Sequence, residues 1–267
     1  MTQASAHRVS RAPQTGGSTT YRNSPSTGAG AAYDGADGGA TRHSHCPVCL
    51  GELTRVPAEE AGAHQFRHAS AADEARCPLT TMSYQPEDMT VQHMRDLLLE
   101  GRQRGAFIHS AMRHYRVMKK LAPSLTVRRL MFLVGYADVQ NLWSYPGLRQ
   151  HDLPYVLLVL AGFIRHRGTQ GETVWLRFCF DASVRDVGDL WRDTGSQPKL
   201  FQMVYRPPVD TPFPTSRELI HFTTVARDVR FLGGEEPWVR GADVKEFQQF
   251  LSRGPAHEEA PSDAGTP

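Results

Sequence analysis

Three of the four cysteines fall within 32 residues of one another, among histidines, and this grouping constrains the chain more than any other feature. The segments read His43-Ser-His45-Cys46-Pro47-Val-Cys49-Leu-Gly51, then His64-Gln-Phe66-Arg67-His68, then Arg76-Cys77-Pro78. A Cys-x-x-Cys pair on a tight turn aims two thiolates at one point, and Pro47 and Gly51 suit such a turn. A tetrahedral zinc ion then needs two more nitrogen or sulfur donors from a second arm.

Two closures satisfy that need. Cys46, Cys49, His64 and His68 leave fourteen residues between the pairs and three between the histidines, within the spacing of a two-cysteine, two-histidine finger. That closure puts the charged Glu59 where a ββα finger packs an apolar residue. Cys46, Cys49, His68 and Cys77 form the other set, and Cys77-Pro78 echoes Cys46-Pro47. Either set is complete from the protein, so the expected zinc is structural, with no open coordination position. Residues 43–85 are too few for a good core, and metal binding supplies much of the folding free energy of such a module. A redox role for the pair would want a preceding strand of the thioredoxin type, which the sequence lacks. Cys179, inside Trp175-Leu-Arg-Phe-Cys-Phe180, reads as a buried apolar residue.

The Cys-Pro-x-Cys turn followed by His64-Gln-Phe66-Arg67-His68 resembles the N-terminal zinc-finger region of bacterial competence-protein CoiA-like proteins. The resemblance covers residues 43–85 and implies the zinc module. Members of that family carry a PD-(D/E)xK nuclease domain after the finger, and this pattern is not matched. Asp181 follows a strand-like run, but Lys199–Arg206 offers no Glu-x-Lys.

Elsewhere composition sets limits. Residues 1–42 hold no Leu, Ile, Phe or Trp, and no Met beyond Met1, so they cannot bury enough apolar surface to offset ordering entropy. They are expected to be a disordered tail, as is an acidic segment, 253–267. No secretory apolar segment opens the chain. The longest near-continuous apolar run, Leu153–Ile164, has twelve residues, short of the roughly 18–20 that span a bilayer. No membrane association is expected, and a cytoplasmic location is the default.

From Asp88 the apolar spacing predicts a helix ended by Gly101, then a second from about Ala106 to Leu121. His109, Arg113, Arg116 and Lys120 recur at spacings of four, three and four on that second helix. Met89–Arg129 carries nine Lys or Arg against Asp96 and Glu100, whereas residues 130–252 are balanced. This stripe is the candidate DNA- or RNA-phosphate contact; a solvated charged face is the alternative. Ser124 or Thr126 can cap a helix that Gly135 breaks, with a shorter helix from Asp138 to Trp143. The outline is that of a helix-turn-helix, although the second helix has no Arg or Lys to read a groove. A further apolar helix, Leu153–His166, precedes strands at Thr173–Phe180, Leu200–Arg206 and Leu219–Ala226, with a short helix at Val184–Trp191. A last helix spans Ala242–Leu251. The expected fold class is α+β: a small zinc module (43–85), then a domain (86–252) with a helical part and a small, mainly antiparallel sheet.

No phosphate-binding glycine loop, Gly-x-Ser-x-Gly or His-Glu-x-x-His is present, so the chain reads as non-catalytic. Glu235-Glu236 reads as a loop feature. The leading expectation is a zinc-stabilised nucleic-acid-binding protein. An adaptor that contacts other proteins is the second, and a divergent metal-dependent nuclease using Asp181 the third.

Overall fold

The eight residues of β5 (Thr173–Phe180) decide the architecture, because both faces of this strand need cover. Leu176 to Phe180 are buried without interruption, where a sheet with one wet face would alternate. In the computed structural model, which describes residues 44–57, 64–83, 89–91, 93–168, 171–192, 197–233 and 239–252, two different layers supply that cover. The expected tails, 1–42 and 253–267, lie outside the described residues, as do Asp88 and Glu235-Glu236.

β5 is flanked by β4 (Ile164–Arg167) and β6 (Leu200–Tyr205), and β7 (Leu219–Val225) completes an antiparallel sheet of order β4-β5-β6-β7. The register pairs Leu176 with Val204, Phe178 with Gln202 and Phe180 with Leu200 on one face. Those side chains meet the helices. The opposite face pairs Trp175 with Tyr205, Arg177 with Met203 and Cys179 with Phe201. That face meets the cysteine-bearing module, where Cys179, Phe201, Met203 and Tyr205 share a core with Cys46, Val48, Leu53, Cys77 and Leu79. The fold is α+β, as expected, in three layers: helices, sheet and module.

The helical layer comprises α2 (Leu97–His109), α3 (Ala111–Leu121), α4 (Val127–Val139), α5 (Leu153–Leu160) and α6 (Gly241–Ser252). Every residue of α5 from Leu153 to Val159 is buried, which makes it the helix at the centre of the layer. Among the described residues, no helix is long and apolar enough to cross a membrane.

Several element boundaries differ from expectation. Asp96, not Asp88, starts α2: its carboxylate accepts from the Leu98 and Leu99 amides at 3.0 Å. The helix then runs through Gly101 and Gly105, while Met89 and Val91 pack into the core ahead of it. The predicted helix Ala106–Leu121 breaks at Ser110, where the Ser110 hydroxyl turns back to the Ala106 carbonyl. Thr126 caps α4, but Gly135 does not end it; buried Leu130, Leu133, Val134 and Ala137 outweigh the roughly 1 kcal/mol that an interior glycine costs. The helix-turn-helix outline is therefore not formed. Asn141, in the left-handed region at φ 56°, turns the chain into a single 3-10 turn at Leu142–Ser144. α5 stops at Leu160, and Gly162 at φ 61° redirects the chain into β4, which the apolar run Leu153–His166 had concealed. Val187–Trp191 is a 3-10 turn.

One polar knot ties the helices together. Asp138 on α4 accepts from Arg104 Nε at 2.7 Å and Nη2 at 3.0 Å, and from the indole N–H of fully buried Trp143 at 2.6 Å. Asp138→Ala leaves a buried donor and a half-buried guanidinium unmatched, and should lower stability by about 2–4 kcal/mol. Asp138→Asn keeps one acceptor for Trp143 and should cost less. Urea unfolding midpoints of the two variants, at unchanged m, check the order.

Candidate metal centre

The module begins with a short sheet in which β2 (Glu52–Pro57) pairs with β1 (Ser44–His45) and β3 (His64–His68), both antiparallel. Between β1 and β2 the chain reverses over Cys46–Gly51: the Cys46 amide donates to Gly51 O at 2.8 Å and the Leu50 amide to Cys46 O at 2.9 Å. Leu50 takes the left-handed conformation at φ 61° that this reversal needs. A Cβ on Gly51 would sit 2.9 Å from the Asp73 carboxyl carbon, so a side chain there would have to push Asp73 aside. The Gly51 amide points at Cys49 Sγ, 3.4 Å away, and the amides of Val48 and Cys49 donate to Cys46. Such N–H groups favour thiolate over thiol.

The other two donors arrive on separate arms. His68 closes β3 opposite Leu53, and both are buried. A short helix, α1 (Ala71–Arg76), is capped by the Ser70 hydroxyl and delivers Cys77, whose amide bonds Asp73 O at 2.9 Å. The chain then turns sharply, with the Thr80 and Thr81 amides both donating to Cys77 O.

These arms bring Cys46, Cys49, His68 and Cys77 together, with all four donor atoms within 4.8 Å of one another. Cys46 Sγ lies 3.8 Å from Cys77 Sγ, and Cys49 Sγ lies 3.1 Å from His68 Nε2. Metal–sulfur bonds of about 2.3 Å at tetrahedral angles place two sulfurs about 3.8 Å apart, so the group fits a tetrahedral ion. Cys46, His68 and Cys77 are buried, and Cys49 is partly so. A four-coordinate ion held by this set has no position left for water or substrate. Thiol hydrogen bonds from Cys49 and Cys77 pull Cys46 down, and the same bonds push Cys49 and Cys77 up. One thiolate shared among three sulfurs is the charge pattern a bound cation would extend to all of them.

Of the two closures open in the sequence, the donors in place are those with Cys77. The segment 64–68 is a strand, whose first and last Cα atoms lie about 13 Å apart, whereas a helix would bring them to about 6 Å. The two-histidine arm of a ββα finger is thus not what this backbone builds. The His64 side chain lies outside the described residues. Cys179 is buried in the core beside the centre and is not a donor.

The candidate nucleic-acid residues are placed less uniformly. His109 ends α2, on the far side of the Ser110 break from the other three. Arg113 donates to the Leu232 carbonyl at 2.6 Å. Arg116 and Lys120 are exposed on α3. The helical layer and the cysteine module lie on opposite faces of the sheet, so the module does not extend the basic helical surface. Asp181, the nuclease candidate, is buried and accepts from the Ser183 amide, the Ser183 hydroxyl and the Lys199 amide, which makes it the cap of the turn after β5. Among the described residues it belongs to no metal-ligating group.

No local pattern points to Asp152, which is buried and accepts from Trp191 and Arg227, partners 39 and 75 residues away. Only the tertiary fold brings those three together. The chain matches no protein-family profile, no curated protein and no solved structure.

Elemental analysis of the purified chain should find about one metal ion per chain. Cys46→Ala, His68→Ala and Cys77→Ala should each lose it, while His64→Ala and Cys179→Ala should retain it. Loss on His64→Ala would restore the two-histidine closure.

Proposed function

We propose that the bound metal is zinc and that the chain is a non-catalytic nucleic-acid-binding protein whose fold the zinc holds together. Three sulfurs and one nitrogen at tetrahedral separation are the donor set of a structural zinc site. The resemblance of residues 43–85 to the zinc-finger region of CoiA-like bacterial proteins agrees with this reading. A site that depends on reduced thiols suits a reducing compartment such as the cytoplasm.

The observation that carries nucleic-acid binding is the charge on α2 and α3. Residues 101–121 hold six Lys or Arg and no acid. Arg104 pairs with Asp138, Arg113 bonds Leu232 O and Lys119 bonds Leu125 O at 3.1 Å. That leaves Arg102, Arg116 and Lys120 exposed, with His109 exposed between them in sequence. No carboxylate within this stretch offsets them, so the surface suits a phosphate backbone.

A second reading, an adaptor for another protein, is favoured by Met94, Leu97 and Leu98, which stand 87, 67 and 89 % exposed where α2 begins.

Three phosphate contacts should give a slope of roughly −3 for log affinity against log salt on duplex DNA, read by fluorescence anisotropy with metal-loaded protein. Arg116→Glu/Lys120→Glu should flatten that slope by about two and weaken binding across all sequences alike. Absence of binding even at low salt, together with a stable partner lost on Leu98→Asp, would favour the adaptor.

A further inference from the structure

A cleft of about 570 Å³ opens between a 3-10 turn at Gln150–Asp152 that leads into α5, the Val187–Trp191 turn and the adjoining ends of β6 and β7. Its volume lies within the range of small-molecule sites. Nothing in the metal centre or on the α2–α3 surface accounts for it.

Its floor is a built polar network. Asp152, 4 % exposed, accepts from Arg227 Nη1 at 3.0 Å through one oxygen and from Trp191 Nε1 at 3.0 Å through the other. Arg227 also donates to Pro198 O at 3.3 Å, and His151 Nε2 lies 3.6 Å from Asp152 Oδ2. The indole is held from behind as well. A Cβ on Gly147 would come within 3.2 Å of Trp191 Cβ and 3.3 Å of Cε3, so a side chain there would have to push the ring by a few tenths of an ångström. Trp191 is therefore set in place, partly exposed, on the cleft wall.

Around this fixed ring the charge is one-sided. Arg149, Arg192, Lys199 and Arg227 line the cleft. Asp152 offsets Arg227, and Asp189 pairs with Arg192 at 2.9 Å. Arg149 and Lys199 are exposed and enter no ion pair among the described residues. Two uncompensated cations beside an immobilised aromatic face match a ligand that carries both negative charge and a flat ring. Phosphate takes charge-assisted hydrogen bonds from Arg and Lys, and a nucleobase stacks on tryptophan.

We propose that this cleft is a nucleotide-binding site, with Trp191 as the platform for the base and Arg149 and Lys199 as the phosphate ligands. Asp152 is a positioning residue: its two oxygens are taken by Trp191 and Arg227, which it orients. A free nucleotide and one unit of a single strand present the same chemistry. The site uses none of the α2–α3 residues and does not rest on their binding DNA.

The test titrates the metal-loaded full chain with ATP, following tryptophan fluorescence and heat, at about 50 mM salt, where phosphate contacts are strong. Saturable ATP binding is expected, weakened roughly tenfold or more by Arg149→Glu/Lys199→Glu, whose side chains are exposed and whose thermal melting should match wild type. Trp191→Phe should abolish most of the fluorescence change. Arg116→Glu/Lys120→Glu should leave ATP affinity unchanged, which separates this site from the helical surface. Competition by a twelve-residue oligo-dT at lower concentration than ATP would support a strand unit as the ligand; competition only by mononucleotides would support a free nucleotide. Inorganic triphosphate binding as tightly as ATP would overturn the role of Trp191. Failure of both ATP and oligo-dT to bind, or equal binding to Arg149→Glu/Lys199→Glu, would overturn the site.

Discussion

Three sulfurs and an imidazole nitrogen drawn to one point allow a segment of about forty residues to serve as a whole layer of the fold. Such a segment has too little apolar area of its own to offset the entropy of ordering. Its three arms come from a reversed turn, a strand end and a short helix; a small antiparallel ladder joins the first two, and the donors tie in the third. Once joined, they present Val48, Leu53 and Leu79 as one surface, against which Cys179, Phe201, Met203 and Tyr205 are buried. Backbone bonds from Ala182 to Val48 and from Ser216 to Thr81 fix the seam. Without that layer, the odd-numbered face of β5 would be an exposed apolar sheet.

The division of the molecule by the sheet also divides its chemistry. The metal-ligating group and its apolar surround lie on one side. The cations lie on both, and the fold has sorted them into those spent on carbonyls and carboxylates, such as Arg104, Arg113 and Arg227, and those left to solvent, such as Arg116, Lys120 and Lys199. Charge counted along the chain does not make that distinction. An arginine fixed on a carbonyl shapes the protein; one in solvent is available to a partner.

What was legible in the residues follows from how local each signal is. The ligand set could be read because a Cys-x-x-Cys turn and a Cys-Pro echo are short-range patterns, and the three main strands of the larger sheet because β-branched and aromatic runs between turn residues are too. The choice between Cys77 and His64 needed the backbone of residues 64–68, since strand and helix place the same spacing at different distances. Gly135 does not end its helix because burial along α4 outweighs an intrinsic preference worth about 1 kcal/mol, and Gly101 lies inside a helix that only the Asp96 cap begins. β4 was hidden inside an apolar run whose break is a backbone event at Gly162. Asp152, Trp191 and Arg227 were out of reach, since no local pattern records a meeting of residues so far apart.

The seam between Val48 and Ala182 has a consequence for the order in which the protein is made. The two residues are separated by more than a hundred positions, so the module leaves the ribosome well before the strand it covers. At ordinary elongation rates the interval is on the order of ten seconds. Throughout it, a metal-clasped module would display an apolar surface with nothing yet to receive it. The nascent chain must shield that surface, or a chaperone must, until β5 and β6 emerge and the seam closes.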